Sequence, residues 1–145
     1  MHQIGRGHVC LRAAHSAPRS AQPIMTLDLD TDGPVPLITV RGEVDMSTAH
    51  LINELAEHTI ARRPARLILD LSRVTFFSAH GISALLRTQR AAAGADVGLI
   101  LRDAAPCVTY LLVVTGSRRN FRVATTRVDA PAPAGKRRTA ERSPV

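Results

Sequence analysis

Few side chains in this chain have chemistry to offer, and they do not converge. His50, His58 and His80 are far apart in sequence, and no His, Cys or carboxylate cluster has metal-ligand spacing. The two cysteines, Cys10 and Cys107, lack the paired spacing of a redox or metal motif. Cys107 reads best as a small apolar residue in a helix. Asp70 ends an apolar run, where an α/β enzyme can keep a catalytic acid. The plainer reading is a carboxylate that closes a turn with Ser72 and Arg73. Ser78 has only His80 beside it as a base, and there is neither a Gly-x-Ser-x-Gly elbow nor a Gly-x-x-x-x-Gly-Lys phosphate loop. No catalytic residue, metal or cofactor is therefore assigned, and the chain does not read as an enzyme. What remains is the loop Ser78-Ala79-His80-Gly81, which opens a helix. Unpaired N–H groups and the positive end of the helix dipole make such a loop a natural seat for an anion or phosphoryl group.

The surrounding pattern must position that loop. Before it come the apolar run Leu67-Ile68-Leu69, then Asp70-Leu71-Ser72, then Val74-Thr75-Phe76-Phe77. After it Ile82, Leu85, Leu86 and Ala93 recur at helical spacing. Other strands are expected at 26–29, 36–40, 66–71, 97–101 and 121–123. A helix capped by Asp45 or Ser47 is expected to run to about residue 61. Its inward face would hold Leu51, Ile52, Leu55 and Ala56, and its outward face Asn53, Glu54 and Glu57. The helix from Gly81 should end with Gly94 as its C′ residue, and another helix should start at Pro106 and stop at Gly116. Alternating strands and helices imply an α/β fold: one domain with a central, largely parallel or mixed sheet of four to five strands covered by helices.

The chain has 145 residues and a net charge of +7. Residues 1–24 contribute three arginines and no acid, and residues 130–145 a net +3, whereas 12 arginines face 11 acids between them. A near-neutral domain with basic tails is not a basic groove, so direct DNA binding is not expected. Trp is absent and aromatic content is 3%, leaving little to stack on bases. No run of about 18 apolar residues is present, so no membrane span is expected. Residues 1–24 read as a disordered leader or a mis-assigned start ahead of Met25, and residues 130–145 as a disordered basic tail. The domain is placed at 25–129, in a reducing, cytoplasmic compartment.

Three motifs in register resemble the STAS domain, the module of sulphate transporters and anti-sigma factor antagonists. Gly42-Glu43-Val44-Asp45 resembles the family's Gly-Glu-Leu-Asp, the Ser78-to-Gly81 loop its Asp-Ser-Ser-Gly or Asp-Ser-Thr-Gly, and Pro106 with Thr115-Gly116 its next helix. The likeness spans residues 27–128. It implies a bacterial, cytoplasmic protein-binding module in transcription regulation and stress response. The implied partner is an anti-sigma factor of the serine-kinase type, bound around Asp45, Ser47, Ser78, His80 and Ser83.

Aligned on Gly81, the family's phosphorylatable Ser or Thr falls on His80 and its Asp on Ser78. Three accounts are open: a module without the serine switch, modification of Ser78 instead, or a pH-responsive or phosphorylated His80. The first fits the residues best. Other departures are Ser117, where an apolar residue is usual, and the poor helical pattern after the last strand. Two further functional readings stand beside the antagonist: a STAS-type small-ligand or nucleotide sensor, and a nucleic-acid adaptor resting on the tails.

Overall fold

The computed structural model describes residues 8–13 and 24–126. The elements are β1 His8–Ala13, β2 Met25–Asp30, β3 Leu37–Val44, α1 Ala49–Ile60, β4 Arg66–Phe77, α2 Ala79–Gly94, β5 Gly98–Arg102, α3 Pro106–Val114 and β6 Arg122–Ala124, with a 3-10 turn at Arg118–Asn120 before β6. All six strands form one sheet in sequence order; β1, β2 and β3 pair antiparallel, and β3 to β6 run parallel.

Within β2 to β6 the architecture is the expected mixed sheet. The sixth strand comes from a segment expected to be a disordered leader. His8–Ala13 pairs antiparallel with Met25–Asp30 over its whole length. In that register Val9, Leu11 and Ala13 stand opposite Leu29, Leu27 and Met25. The expectation of disorder for the rest of the leader, and for the basic tail 130–145, falls outside the described residues.

Each parallel step joins neighbouring strands through one helix. Right-handed crossovers in a constant direction place all three helices on the same face. Burial agrees with that arrangement: Leu27, Val40, Leu69 and Leu101 are fully buried on one face, while Thr26, Thr39, Ile68 and Ile100 on the other are half-buried. Ile52, Leu85 and Leu112 bring α1, α2 and α3 onto the same core.

Three details differ from the expected helices. Asn53 faces inward, where its amide donates to the Ala84 carbonyl at 2.8 Å and to Thr88 Oγ1 at 2.8 Å, joining α1 to α2. Near the end of α2 the buried alanine is Ala92, not Ala93. The left-handed residue after α2 is Asp96 (φ +63°), not Gly94, with Val97 N–H returning to the Ala92 carbonyl at 2.8 Å. Aspartate is among the few residues other than glycine that visit that conformation, because its short polar side chain can hydrogen-bond locally. Gly116 (φ +71°) does close α3 as expected, with Ser117 N–H on the Leu112 carbonyl at 2.9 Å. Ser117 is buried, and its hydroxyl meets that of Thr115 at 2.8 Å, so the missing apolar residue leaves no polar group unpaired.

Candidate functional site

The site lies where β3 and β4 finish and α1 and α2 begin. The two apolar runs at 67–71 and 74–77 turn out to be one strand. Its buried residues step by two (Leu67, Leu69, Leu71) and then by three (Val74, Phe77). The slip is visible in the ladder: Thr39 pairs with Asp70 but Arg41 with Arg73, and Gly42 pairs with Val74 but Glu43 with Phe76. Two extra residues in β4 thus return Val74 and Phe77 to the core face.

Asp70 closes the first of these bulges. Its carboxylate accepts from the Ser72 N–H at 2.9 Å and from the Ser72 hydroxyl at 2.7 Å. The expected second partner was Arg73. The strand does not turn there, and the partner is Arg102 on the adjacent strand, at 2.8 Å. Burial pushes the Asp70 carboxyl up, but the hydrogen bonds from Arg102 and Ser72 outweigh it and hold it below the ordinary aspartate range. Asp70 is a structural carboxylate.

Gly42 explains the first motif. It sits at φ +98°, and a Cβ there would lie 2.2 Å from the Ile24 carbonyl oxygen, which accepts the Glu43 N–H at 2.9 Å. Only glycine lets β3 approach β2 this closely at a bend. Asp45 then builds the turn into α1. Its Oδ1 accepts the Ser47 N–H at 2.9 Å, the Ser47 hydroxyl at 2.8 Å and the Thr48 hydroxyl at 3.2 Å. The Ser47 hydroxyl is the main reason that its carboxyl sits below the ordinary range. Neither Asp45 nor Ser47 is the N-cap; that position belongs to Thr48, whose hydroxyl ties back to the Glu43 carbonyl at 3.0 Å.

The second loop is locked to the first through backbone. Ser78 N–H donates to the Val44 carbonyl at 3.0 Å. Ser78 is the N-cap of α2, and its hydroxyl accepts the His80 N–H at 3.1 Å. Gly81 is required by packing, since a Cβ would lie 2.6 Å from the buried Phe77 ring. His80 is exposed in the first turn, and Ser83 is exposed one turn further along without a side-chain hydrogen bond among the described residues.

The structure thus brings Asp45, Ser47, Ser78 and His80 to one end of the sheet on two linked loops, with Ser83 on the helix rising from it. Two apolar residues there were not anticipated: Met46 is 72% exposed and Phe76 50% exposed. The doublet Phe76-Phe77 carried the signal, because neighbours in a strand face opposite sides and only one can enter the core. Met46, between two turn-building residues, had no such signal. Elsewhere His50 and His58 are exposed on α1, and Cys107 Sγ lies 3.7 Å from the Val74 carbonyl, against β4. Among the described residues no three His, Cys, Asp or Glu side chains are grouped to hold a metal ion, and no helix is long and apolar enough to cross a membrane.

Such a fold and loop pair define a single β/α-repeat domain whose distinctive surface is a loop end lined by helix N-termini. A family model described as "Mlab, STAS domain" matches residues 27–123, and the chain belongs to that family. Anti-sigma-F factor antagonist RsfB of Mycobacterium tuberculosis strain H37Rv is 27% identical over 112 residues, covering 77% of this chain and 90% of that protein. The crystal structure of an anti-sigma factor antagonist from Mycobacterium paratuberculosis superposes with a TM-score of 0.62 at 28% identity, over 80% of this chain and 95% of the other. The unphosphorylated anti-sigma factor antagonist SpoIIAA shares the fold at a TM-score of 0.59 and 19% identity, over 71% and 91%.

Proposed function

We propose that this protein is a cytoplasmic anti-sigma factor antagonist that acts by binding and lacks the hydroxyl phosphoacceptor of its family. Its partner is an anti-sigma factor of the serine-kinase type, and its effect is to free a sigma factor for transcription. The reading rests on the similarity to named antagonists and on the composition of the loop end. Met46 and Phe76 offer exposed apolar anchors beside the polar groups of Asp45, Ser47, Ser78, His80 and Ser83, a mixture suited to a protein surface.

The observation that carries the regulatory half is the use of Ser78. Its hydroxyl is spent on the His80 N–H as a helix cap, and the slot that would offer a phosphorylatable oxygen holds an imidazole. In a relative with a hydroxyl there, a phosphoryl group would add about −1.5 to −2 charge, which the helix N-terminus tolerates but an interface built for a neutral group does not. Without an acceptor, binding is set by partner concentration alone. The test is titration calorimetry of the full chain against an anti-sigma kinase of the same organism, for wild type, Met46→Asp and Phe76→Asp. Micromolar or tighter binding by wild type and its loss in both variants is the expected result. No binding to any anti-sigma kinase of that organism, or binding untouched by both substitutions, contradicts the assignment.

A further inference from the structure

At the opposite end of the sheet, the last turns of α2, the start of β5 and the segment leading into β6 line an open groove of about 500 Å³, within the range of small-molecule sites. Leu99 and Phe121 form its apolar floor, both more than nine-tenths buried. Its rim is polar and one-sided in charge: Gln89, Arg119, Asn120 and Arg122 line it, and no carboxylate does.

Two features leave this rim unfinished. Gln89 Oε1 is buried without a hydrogen-bond partner among the described residues, whereas buried polar atoms are nearly always paired. The amide can turn to present either its oxygen or its N–H groups, so it answers a donor or an acceptor. Arg119 and Arg122 have no carboxylate among the described residues, in contrast to Arg87 on Glu57 and Arg102 on Asp70. The C-terminus of α2 contributes about half a negative charge nearby, and two guanidinium groups outweigh it.

We propose that this groove binds a small organic anion with a flat apolar body. Arg119 and Arg122 hold its acidic group, Phe121 and Leu99 carry its body, and Gln89 meets a polar substituent. The site is independent of the antagonist reading, since it lies at the other end of the strands from Ser78 and His80.

The test is titration of the ¹⁵N-labelled full chain with phenyl phosphate, with benzyl alcohol as the neutral counterpart and inorganic phosphate as the charge alone. The expected result is a saturable shift of the Gln89 side-chain amide and of the Phe121 and Arg122 backbone amides, with residues 78–81 unmoved. Benzyl alcohol and inorganic phosphate should each bind roughly tenfold or more weakly than phenyl phosphate. Arg119→Gln with Arg122→Gln should reduce phenyl phosphate to the affinity of benzyl alcohol. Both arginines are exposed, so the spectrum of that variant should keep its dispersion, and Arg119→Gln alone should already weaken binding several-fold. Shifts centred on residues 78–81, a response that does not saturate, a response indifferent to both arginines, or inorganic phosphate binding as tightly as phenyl phosphate would each overturn the proposal.

Discussion

The two ends of this sheet are built on different principles. Where helices begin, side chains hold the backbone: Asp45 and Thr48 tie the first loop, Ser78 caps α2, and Asp70 closes a bulge in β4. Where helices end, backbone groups do more of the holding. Arg63, Asp96 and Gly116 each take a positive φ, and N–H groups at or beside them return to the preceding turn. The consequence is an inversion of appearances. At the polar, motif-rich end most of the polar groups are engaged in holding the loops, and His80, Met46 and Phe76 stand exposed beside them. At the plainer end, among the described residues, Arg119 and Arg122 have no carboxylate and Gln89 Oε1 has no hydrogen-bond partner.

Substitutions at glycines should expose this contrast most strongly. Gly42→Ala forces a side chain onto the Ile24 carbonyl at an unfavourable φ, and should cost about 3 kcal/mol or more in urea unfolding. Gly81→Ala, against the buried Phe77 ring, should cost about 2–3 kcal/mol. Gly98→Ala, at the other end, meets the Arg66 Cγ at 3.3 Å, the stem of a flexible side chain, and the Ala65 carbonyl oxygen at an ordinary 3.7 Å, and should stay within about 1 kcal/mol. Equal costs at the three sites would erase the distinction.

Asn53→Ala comes next. It leaves the Ala84 carbonyl and the Thr88 hydroxyl without their donor, and should destabilise by about 1–3 kcal/mol with little change in the loops. Asp70 supplies the pH arm. Its folded-state pKa is depressed, so its stabilisation is present above the unfolded value near ~3.9 and is lost as pH falls through the lower folded value. Asp70→Asn should therefore cost about 1–2 kcal/mol at pH 7, a gap that narrows as the pH is taken below about 4. A gap that widens in acid would reverse the assigned sign. His80→Ala should be smallest, within about 0.5 kcal/mol, because the side chain is exposed.

The alternation of apolar runs was enough to foresee β2 through β6 and all three helices, because burial on one sheet face imposes a pattern that survives in the residues themselves. Details governed by long-range pairing were not legible. Asn53 looked like surface until Ala84 and Thr88 were brought beside it. The slip in β4 depends on its ladder with β3, and Arg102 reaches Asp70 only across the sheet. His8–Ala13 is too short an apolar pattern to announce a strand without the β2 edge that receives it. At the site, the loops followed from the Gly42 and Gly81 motifs, while the bonds of the Thr48 hydroxyl back to Glu43 and Asp45 and the exposure of Met46 emerge only from the folded turn.

The most direct test of the central claim is phosphate mapping by mass spectrometry after incubating the full chain and His80→Ser with an anti-sigma kinase and ATP. The wild type is expected to stay unmodified and still bind its partner after ATP treatment, and His80→Ser to carry phosphate at position 80. Stoichiometric phosphate on Ser78 or Ser83 of the wild type, with loss of partner binding, would contradict it and show that the switch operates from a neighbouring hydroxyl.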